Sequence, residues 1–381
     1  MEFNYTDHQR EVRKLARDFA SNRIAPVVMK YDESQEFPWE IVKELGDMGF
    51  LGVIFPEEYG GSNFSVMDYS IIVEEISKAD PSLGLTIAAH NGLCTSHIYL
   101  FANDDLKRKY LPDLTTGKKM GAWGLTENVS GSDAAGMKTT AEKKDGFYIL
   151  NGSKAFITHA GVGETAVVTA VTDKSKGNKG ISAFILEKGF EGFSVGKKEN
   201  KLGMRSSDTC ELIFQNCKVP AENLIGNEGE GYMQAMTILD GGRIAIASLS
   251  VGIAQAALEH SIKYSKQRKQ FGKTLSEFQG IQFKLADMAT EVEAARLLTY
   301  RAASLKDEGK NFKLVASMAK FYASEIATKA TNEAVQIHGG YGFIKEFPVE
   351  KLYRDVKLMT IGEGTSEVQK IVMSRALLEM Y

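Results

Sequence analysis

The spacing of apolar residues changes twice along this 381-residue chain, and that change constrains the fold more than any other feature of the sequence. The first stretch has the spacing of an amphipathic helix, with Thr6 as its candidate N-cap. Its apolar positions are Val12, Leu15, Ala16 and Phe19. The segments WEIVKELGDMGF and MDYSIIVEEISKA repeat this spacing. We therefore predict an N-terminal helical domain over residues 1–120.

From about position 121 the apolar period falls to two, which is the period of a strand. The segment KTTAEKKDGFYILNG predicts two strands joined by a type I′ turn at Asp145 and Gly146. Further β-branched runs follow in ETAVVTAVT, GISAFILEK and TCELIFQNCKVP, without helices between them. This order favours an antiparallel barrel or sandwich over alternating βαβ units, so we predict a middle β domain over residues 121–228.

After Gly229 the helical spacing returns and continues to the C-terminus. The clearest seam consists of Ile281, Leu285, Met288, Val292 and Ala295. Such spacing is typical of helices that pack in a bundle. We predict a C-terminal helical bundle over residues 229–381, which makes the chain an α+β multidomain protein.

Charge and hydropathy exclude two classes of partner. The 46 basic and 49 acidic residues give a net charge of -3, without the long single-sign block of a nucleic-acid-binding arm. No run of the roughly 18 residues that a membrane span needs is both uncharged and apolar throughout. The N-terminal segment is mixed in charge and lacks the apolar core of a signal peptide. We expect a cytoplasmic protein, or a mitochondrial matrix protein if the chain is a processed eukaryotic form.

Metal and dinucleotide sites of the common kinds are not predicted. Cys94, Cys210 and Cys217 form no CxxC pair, and the six histidines are scattered, so we expect no metal site and reduced, buried thiols. The glycines of GNEGEGYMQA precede a helix but follow a loop rather than a strand. That context does not fit a Rossmann fingerprint.

Glu363 stands between two glycines in MTIGEGTSEVQ, and two interpretations of it are open. In the first it is a loop acid favoured by the dipole of the final helix, which Ser366 and Gln369 would begin as an S-x-x-Q capping box. In the second, the glycines let the backbone approach a ligand closely and leave the carboxylate as the only reactive group.

Six motifs favour the second interpretation. They are PEEYGGS (56–62), GLTENVSGSDAAG (124–136), NGSKAFITHA (151–160), RKQFGKTLSEFQ (268–279), QIHGGYGFIKEFPVEKLYRD (336–355) and GEGTSEVQ (362–369). In these motifs and their order, the chain resembles the acyl-CoA dehydrogenase family from end to end. The resemblance implies a helical N-terminal domain, a middle antiparallel β domain and a C-terminal four-helix bundle. It also implies FAD as cofactor and conversion of a saturated acyl-CoA into its trans-2-enoyl-CoA.

The resemblance assigns the chemistry to Glu363, which would remove the α-proton while flavin N5 takes the β-hydride. The thioester oxygen would be held by the backbone N–H of Glu363 and by a flavin ribityl hydroxyl. Some members, such as the isovaleryl type, carry the glutamate at the position of Gly242 instead. Here that position is glycine, so within the family the base is Glu363.

The resemblance also implies contacts with cofactor and substrate. The flavin contacts from the β domain would be Trp123, Gly124, Leu125, Thr126, Gly131, Ser132, Phe156, Ile157 and Thr158. Contacts from a neighbouring subunit and beside the base would be Arg268, Phe271, Gln279, Gln336, Ile337, Gly339, Gly340, Thr365, Ser366 and Glu367. The substrate contacts would be Ser132, Asp240, Gly241, Gly242, Arg243 and Gly364. A site shared between subunits implies a homotetramer built as a dimer of dimers.

The resemblance implies electron-transferring flavoprotein as the electron acceptor. The sequences GGYGFIKEFPVEKLYRD and KVPAEN are most similar to those of short-chain, butyryl-type members. Asn128 and Ser130 replace the family's usual proline and alanine, which we expect to loosen the flavin loop, and Gly362 replaces a common tyrosine, which widens the pocket or frees its loop. Alternatives are a branched- or medium-chain dehydrogenase, an acyl-CoA oxidase that passes electrons to oxygen, or a non-catalytic CoA-ester-binding module.

Overall fold

The first helix begins at Thr6, the N-cap that the sequence predicts, and Gln9 completes a capping box there. The Thr6 hydroxyl accepts a hydrogen bond from the Gln9 backbone N–H at 3.1 Å, and the Gln9 side chain accepts one from the Thr6 N–H at 3.0 Å. Val12 and Ala16 are buried, whereas Leu15 is 51% exposed and lies outside the predicted apolar face. The structure, a computed structural model, describes residues 4–380, so positions 1–3 and 381 of the predicted domains lie outside it.

Seven helices make up the N-terminal part of the chain. They are α1 (Asp7–Phe19), α2 (Val28–Ser34), α3 (Trp39–Asp47), α4 (Val66–Ala79), α5 (Pro81–Ala89), α6 (Ser96–Phe101) and α7 (Asp104–Thr115). A second capping box, in which Ser65 and Asp68 exchange hydrogen bonds, begins α4. Asp80 ends α4 and caps α5, where Pro81 occupies the first turn.

The middle of the chain forms one eight-stranded sheet. Its strands are β1 (Gly121–Gly124), β2 (Thr140–Lys144), β3 (Phe147–Thr158), β4 (Thr165–Val171), β5 (Ile181–Glu187), β6 (Phe193–Lys198), β7 (Thr209–Pro220) and β8 (Leu224–Ile225). They lie in the order β6-β7-β3-β2-β4-β5-β8, with β1 beside β4. Asp145 and Gly146 both have positive φ, at 49° and 82°, which confirms the predicted β2–β3 hairpin turn.

The sheet is not purely antiparallel, and in this respect the prediction is wrong. Strand β1 pairs with β4 in parallel, from Gly121 beside Thr165 to Gly124 beside Val168. One further parallel pair joins Thr140 of β2 to Val171 of β4. A parallel neighbour needs a long connection, and the hairpin β2–β3 lies between β1 and β4 along the chain. Local spacing cannot show this pairing, because β1 is only four residues long.

The C-terminal part is helical again, with a two-stranded ribbon between its first two long helices. Its elements are α8 (Gly231–Gln267), β9 (Lys269–Gln270), β10 (Lys273–Thr274), α9 (Gln279–Asp307), α10 (Lys313–His338), α11 (Val349–Asp355) and α12 (Ser366–Met380). The predicted seam lies on α9, where Met288, Val292 and Ala295 are buried. Ile281 and Leu285 are partly buried against the same core. The long helices α8, α9 and α10 pack with α12 as a four-helix bundle.

Helix α8 is the centre of the helical core. Residues of α4 and α5 from the N-terminal part and of α9 and α10 from the C-terminal part share one hydrophobic cluster with it. By length and composition α8 alone, among the described helices, could cross a membrane, but 78% of its apolar window is buried inside the protein. Its apolar character is therefore that of a core helix. Glycines on α8 permit this close packing, and Gly252 lies against the main chain of α4.

We predict that Gly252→Ala lowers the free energy of unfolding by about 1–3 kcal/mol, because overpacking forces the backbone to shift. An added Cβ would stand 2.4 Å from the Glu74 carbonyl oxygen. The matched control is Gly280→Ala on α9, where nothing lies within 4 Å of the added atom. The control should be neutral or up to about 1 kcal/mol stabilising, since alanine is the better helix former. Urea-unfolding midpoints compare the two variants, and equal midpoints would contradict the packing.

Candidate active site

Glu363 lies in a tight turn between the 3₁₀ segment Val356–Thr360 and helix α12. It has a φ of 53°, and the following Gly364 has a φ of 90°. Left-handed backbone is uncommon for a residue with a side chain and persists only where its surroundings hold it. Here the Gln369 amide donates to the carbonyl oxygens of Glu363 and Gly364 at 3.2 and 3.1 Å, and Lys320 Nζ donates to the Gly364 oxygen at 2.7 Å. We call residues 362–365 the base loop.

The predicted capping box at Ser366 and Gln369 is wrong. Helix α12 already includes Ser366, and the Val368 N–H donates to the Thr365 hydroxyl at 3.3 Å. The Ser366 hydroxyl instead donates to Glu325 on α10 at 2.6 Å. The Gln369 amide reaches back to the base loop rather than to the N-terminus of the helix. Both polar side chains therefore hold the loop that carries Glu363.

The side chain of Glu363 is partly buried, and one of its carboxylate oxygens is buried without a partner. Its Oε2 atom is inaccessible to solvent and has no hydrogen-bond partner among residues 4–380. Burial raises the pKa of Glu363 to about 7, against the opposing positive charges of Lys320 and Arg243. A carboxyl group with a pKa near neutrality can accept a proton and release it at the pH of a cell.

Gly242 provides the space for this carboxylate. A Cβ at position 242 would stand 2.0 Å from Glu363 Oε2, so a side chain there and the present carboxylate exclude each other. The segment 240–243 thus comes to the base loop from α8. Arg243 on this segment donates to Asp240 at 2.7 Å and to Ser317 of α10 at 3.1 Å. Gly241 faces Lys306, whose Nζ would lie 2.7 Å from an added Cβ.

A second group of predicted residues lies on the sheet. Trp123, the third residue of β1, is half-buried, and its indole N–H donates to His97 Nδ1 at 2.9 Å. The Ala155 N–H donates to the Thr126 carbonyl at 2.8 Å and so joins the loop after β1 to the middle of β3. Phe156 on β3 has a φ of 58° and is 64% exposed. We call the exposed surface of Phe156 and its neighbour Thr126 the β-domain platform.

The neighbours of the platform in the predicted set are placed as follows. Gly124, Leu125 and Ile157 are buried, Thr158 is half-buried, and Gly131 and Ser132 are exposed in the loop between β1 and β2. Nothing lies within 4 Å of a Cβ added at Gly131, so the backbone there is open to approach.

Ser130, which replaces the family's usual alanine, is held firmly in the loop after β1, and whether Asn128 loosens the loop stays a prediction. Backbone hydrogen bonds between Glu127 and Ser130, at 2.9 and 3.1 Å, close the turn in both directions. The Ser130 hydroxyl is buried and donates to the Asp133 carbonyl at 2.6 Å, a bond that alanine could not make. The replacement therefore adds a constraint to the loop.

Lys154, a residue not predicted to belong to the site, supports this loop from strand β3. Its side chain is fully buried, and Nζ donates to the Leu125 carbonyl at 3.1 Å and to Glu127 at 2.8 Å. Burial lowers the pKa of Lys154 to about 8, although Glu127 opposes the shift. Glu127 in turn accepts the N–H groups of Lys138 and Thr139. The sequence did offer a signal for this pair. Glu127 lies in the motif GLTENVSGSDAAG and Lys154 in NGSKAFITHA, and their opposite charges could be expected to pair.

Lys320 was missed as well, although its position offered a signal. On α10 it stands among Ala316, Ala319 and Ala323, the positions of the buried face. A lysine on such a stripe needs a partner, because a buried charge is costly alone. The partner is the Gly364 carbonyl of the base loop.

A third group of predicted residues lines a groove of about 520 Å³ between the end of α8 and the end of α10. Arg268, Ile337, Gly339 and Gly340 border it. Neither Gly339 nor Gly340 has any atom within 4 Å of an added Cβ, so both leave their backbone open. Three more predicted residues, Phe271, Gln279 and Gln336, are not among those that line the groove, and Phe271 is 92% exposed on the nearby ribbon.

Family models match three consecutive parts of this chain. The family model for the acyl-CoA dehydrogenase N-terminal domain matches residues 6–118, that for the middle domain residues 122–217, and that for the C-terminal domain residues 229–378. The chain belongs to the acyl-CoA dehydrogenase family. This family consists of FAD-dependent oxidoreductases, so the family resemblance and fold class predicted from the sequence are confirmed.

Several acyl-CoA dehydrogenase relatives are similar over their full length. The short-chain specific acyl-CoA dehydrogenase of Megasphaera elsdenii is 50% identical over 99% of this chain and 100% of its own. The three-dimensional structure of butyryl-CoA dehydrogenase from the same organism is 49% identical, with a TM-score of 0.97 over 99% of this chain and 100% of that one. A chain of the structure described as "Electron transferring flavoprotein of Acidaminococcus fermentans: Towards a mechanism of flavin-based electron bifurcation" is 49% identical, with a TM-score of 0.98 over 99% and 100%.

Metal chemistry and disulfides have no visible site in the described chain. Within residues 4–380 no group of three or more His, Cys, Asp or Glu side chains is arranged to hold a metal ion. Cys94, Cys210 and Cys217 are free and buried. Burial raises the pKa of each of these thiols to about 12, so they remain protonated.

We predict that Gly242→Ala lowers the rate of acyl-CoA-dependent acceptor reduction by about 100-fold, because displacing a reacting group by about 1 Å has effects of that size. The added methyl group occupies the space of the Glu363 carboxylate. Lys263→Ala, an exposed change on the same helix, is the control. A folded Gly242→Ala protein with the wild-type rate would show that this contact does not position the carboxylate.

Proposed function

We propose that this protein oxidises a short-chain acyl-CoA of the butyryl-CoA type to its trans-2-enoyl-CoA, with Glu363 as the base. The observation that carries the proposal is the buried Oε2 atom of Glu363, which has no hydrogen-bond partner and for which Gly242 provides the space. A structural acid would be paired when buried. An acid left unpaired at the junction of α8, α10 and α12 is a candidate for proton transfer.

The base and an oxyanion donor would come from one residue. Glu363 breaks the α-C–H bond and takes the proton on its carboxylate, while the electron pair remains on carbon and spreads to the thioester oxygen. That oxygen needs a donor where negative charge develops. In the hydrogen bonds described for residues 4–380, the backbone N–H of Glu363 has no acceptor, so it is free to donate to this oxygen.

The residues present fit FAD as the cofactor. Phe156 offers an exposed apolar surface against which a flat ring can pack, next to the half-buried Thr126. Gly339 and Gly340 let phosphate approach open backbone beside the Arg268 guanidinium. When bound, FAD supplies the two-electron acceptor for the β-hydride. We also propose contacts with FAD from Thr365 of the base loop and from Ser366 and Glu367 at the start of α12. The predicted contacts Phe271, Gln279 and Gln336 remain proposals as well.

The substrate contacts proposed are Ser132, segment 240–243 and Gly364. Gly364 follows the base directly, and Gly242 touches its carboxylate. The butyryl-type chain length is supported by the short-chain specific relative from Megasphaera elsdenii. A branched- or medium-chain substrate is the alternative, since a side chain at Gly362 would meet Leu358 only at ordinary contact distances and its absence leaves that space open.

A homotetramer, arranged as a dimer of dimers, is proposed from exposed apolar side chains on the C-terminal part. Phe271, Phe343 and Leu378 are 92%, 85% and 82% exposed. Apolar surface of this extent is usually covered by another chain. The groove at Arg268 and the β-domain platform would then be halves of a site completed between two subunits.

Electron-transferring flavoprotein is proposed as the acceptor, supported by the similarity to a chain in the Acidaminococcus fermentans structure. A cytoplasmic location is proposed with it, on the bacterial origin of the relatives. An acyl-CoA oxidase would instead produce peroxide without a protein acceptor. A non-catalytic CoA-ester-binding module would bind acyl-CoA without reducing a flavin.

An anaerobic titration with butyryl-CoA and with longer or branched acyl-CoAs tests the function. We expect butyryl-CoA to bleach the oxidised flavin, and Glu363→Gln to retain FAD and ligand binding but lose bleaching, because an amide cannot accept the proton. Glu11→Gln, an exposed change on α1, is the control. Bleaching only by another ester would overturn the substrate assignment, and no bleaching by any acyl-CoA would refute the function.

The rate of flavin reduction should rise with pH through about 7. The base must be ionised, and burial has raised the pKa of Glu363 from its ordinary value to about 7. The rate is therefore low below this pH and reaches a plateau above it. Rapid mixing with butyryl-CoA across a range of pH measures the midpoint, and a flat profile down to about pH 5 would contradict the assignment of a buried base.

A further inference from the structure

We propose that Lys320 is a positioning residue for the reaction, which fixes the base loop through the Gly364 carbonyl and acts on the Glu363 carboxylate through its buried charge. This inference rests on the proposed function, because it concerns the same base. Lys320 does not belong to any of the six motifs of the sequence. Its side chain is fully buried, and its Nζ lies 2.7 Å from the Gly364 oxygen.

The location of Lys320 on α10 makes it the middle of three contacts. Ser317, about one turn earlier, accepts a hydrogen bond from Arg243 at 3.1 Å. Arg243 belongs to segment 240–243, which we call the substrate segment. Glu325, further along, accepts from Ser366 at the start of α12 at 2.6 Å. Between them Lys320 holds Gly364, the glycine with a φ of 90°. Helix α10 therefore connects the substrate segment, the base loop and the final helix.

The hydrogen bond explains the unusual backbone of the base loop. Glu363 has a φ of 53°, a conformation that costs free energy for a residue with a side chain. Two donors, Lys320 Nζ and the Gln369 amide, converge on the Gly364 carbonyl and offset that cost. Because two donors share this oxygen, removal of Lys320 leaves one hydrogen bond to keep the loop closed.

The charge of Lys320 faces the carboxylate with few competitors. The charged and titratable groups around Glu363 are Arg243 on α8, Lys320 on α10 and Tyr69 on α4. Arg243 already pairs with Asp240 at 2.7 Å, and Asp240 also pairs with Lys313. Lys320 instead makes its hydrogen bond with a neutral group, the Gly364 carbonyl oxygen. Glu325 and Glu367 face it from farther away and raise its pKa, as Glu363 does.

The buried environment brings the pKa values of Lys320 and Glu363 close to neutral pH. Burial lowers the pKa of Lys320 to about 8, and burial raises that of Glu363 to about 7. Each group opposes the shift of the other, so loss of the lysine charge should make the carboxylate hold its proton more tightly. A base that holds its proton at the pH of a cell is inactive, and this gives Lys320 an effect that steric positioning alone would lack.

The test is the pH profile of flavin reduction by butyryl-CoA in Lys320→Met, a substitution that keeps most of the volume of the side chain. We expect the midpoint to rise by about one unit, with a rate about tenfold lower than wild type near pH 6 and recovery toward the wild-type rate at high pH. Lys320→Arg keeps the charge and should keep the wild-type midpoint. FAD content and thermal midpoint are measured for each variant in parallel.

The matched control is Lys329→Met on the exposed part of the same helix, where the lysine pairs with Glu291 at the surface. It should leave the midpoint unchanged, since an exposed charge is screened by water. A wild-type midpoint in Lys320→Met overturns the proposal, whether or not its rate falls at every pH. If Lys320→Met does not fold, Lys320→Gln takes its place, with the same midpoint shift expected.

Failure of this inference is distinct from failure of the proposed function. If butyryl-CoA and the other acyl-CoAs leave wild-type flavin oxidised, the function is wrong and the inference falls with it. If the wild type is reduced with a midpoint near pH 7 and Lys320→Met follows the same profile, only the role of Lys320 is wrong. Measuring wild type and variant in one experiment separates these two outcomes.

Discussion

Three glycines on helix α8 allow it to pack closely against the sheet, the base loop and helix α4. A Cβ at Gly231 would stand 2.4 Å from the main chain of Ser182 in the sheet. One at Gly242 would collide with the Glu363 carboxylate, and one at Gly252 would stand 2.4 Å from the carbonyl of Glu74 on α4. Close packing of interiors leaves no room to absorb such atoms. The sheet, the base loop and the N-terminal helices therefore keep their positions because one helix has no side chain at these contacts.

Two buried lysines each donate a hydrogen bond to a carbonyl oxygen in a loop of the candidate site. Lys154 donates to the carbonyl of Leu125 beside the β-domain platform, and Lys320 donates to that of Gly364 in the base loop. Burial lowers the pKa of each to about 8. A long side chain with a strong donor can reach an irregular loop from a regular element, which neither a backbone N–H nor a short polar side chain can do there. The loops gain rigidity, and the lysines gain a partner that reduces the cost of burial.

The sequence predicted elements wherever the signal was local. The N-cap at Thr6, the hairpin turn at Asp145 and the seam on α9 each depend on residues that are close along the chain. Predictions were wrong where a distant partner decided. Ser366 would be a helix cap by its neighbours alone, but Glu325 on α10 takes its hydroxyl. Strand β1 was not among the predicted strands, and it lies parallel to β4 in a sheet expected to be antiparallel, because a four-residue strand takes its direction from the sheet it joins.

By itself the sequence determined the order of helical, β and helical segments, the family, and Glu363 as the candidate base. The reason is that periodicity and sequence motifs are properties of residues that are neighbours along the chain. The tertiary structure decided what surrounds that base. Only folding brings Gly242, Arg243 and Lys320 from two other helices to Glu363, buries its Oε2 and raises its pKa to about 7. The physical reason is that desolvation and charge act through space, over a few ångströms between residues that are far apart along the chain.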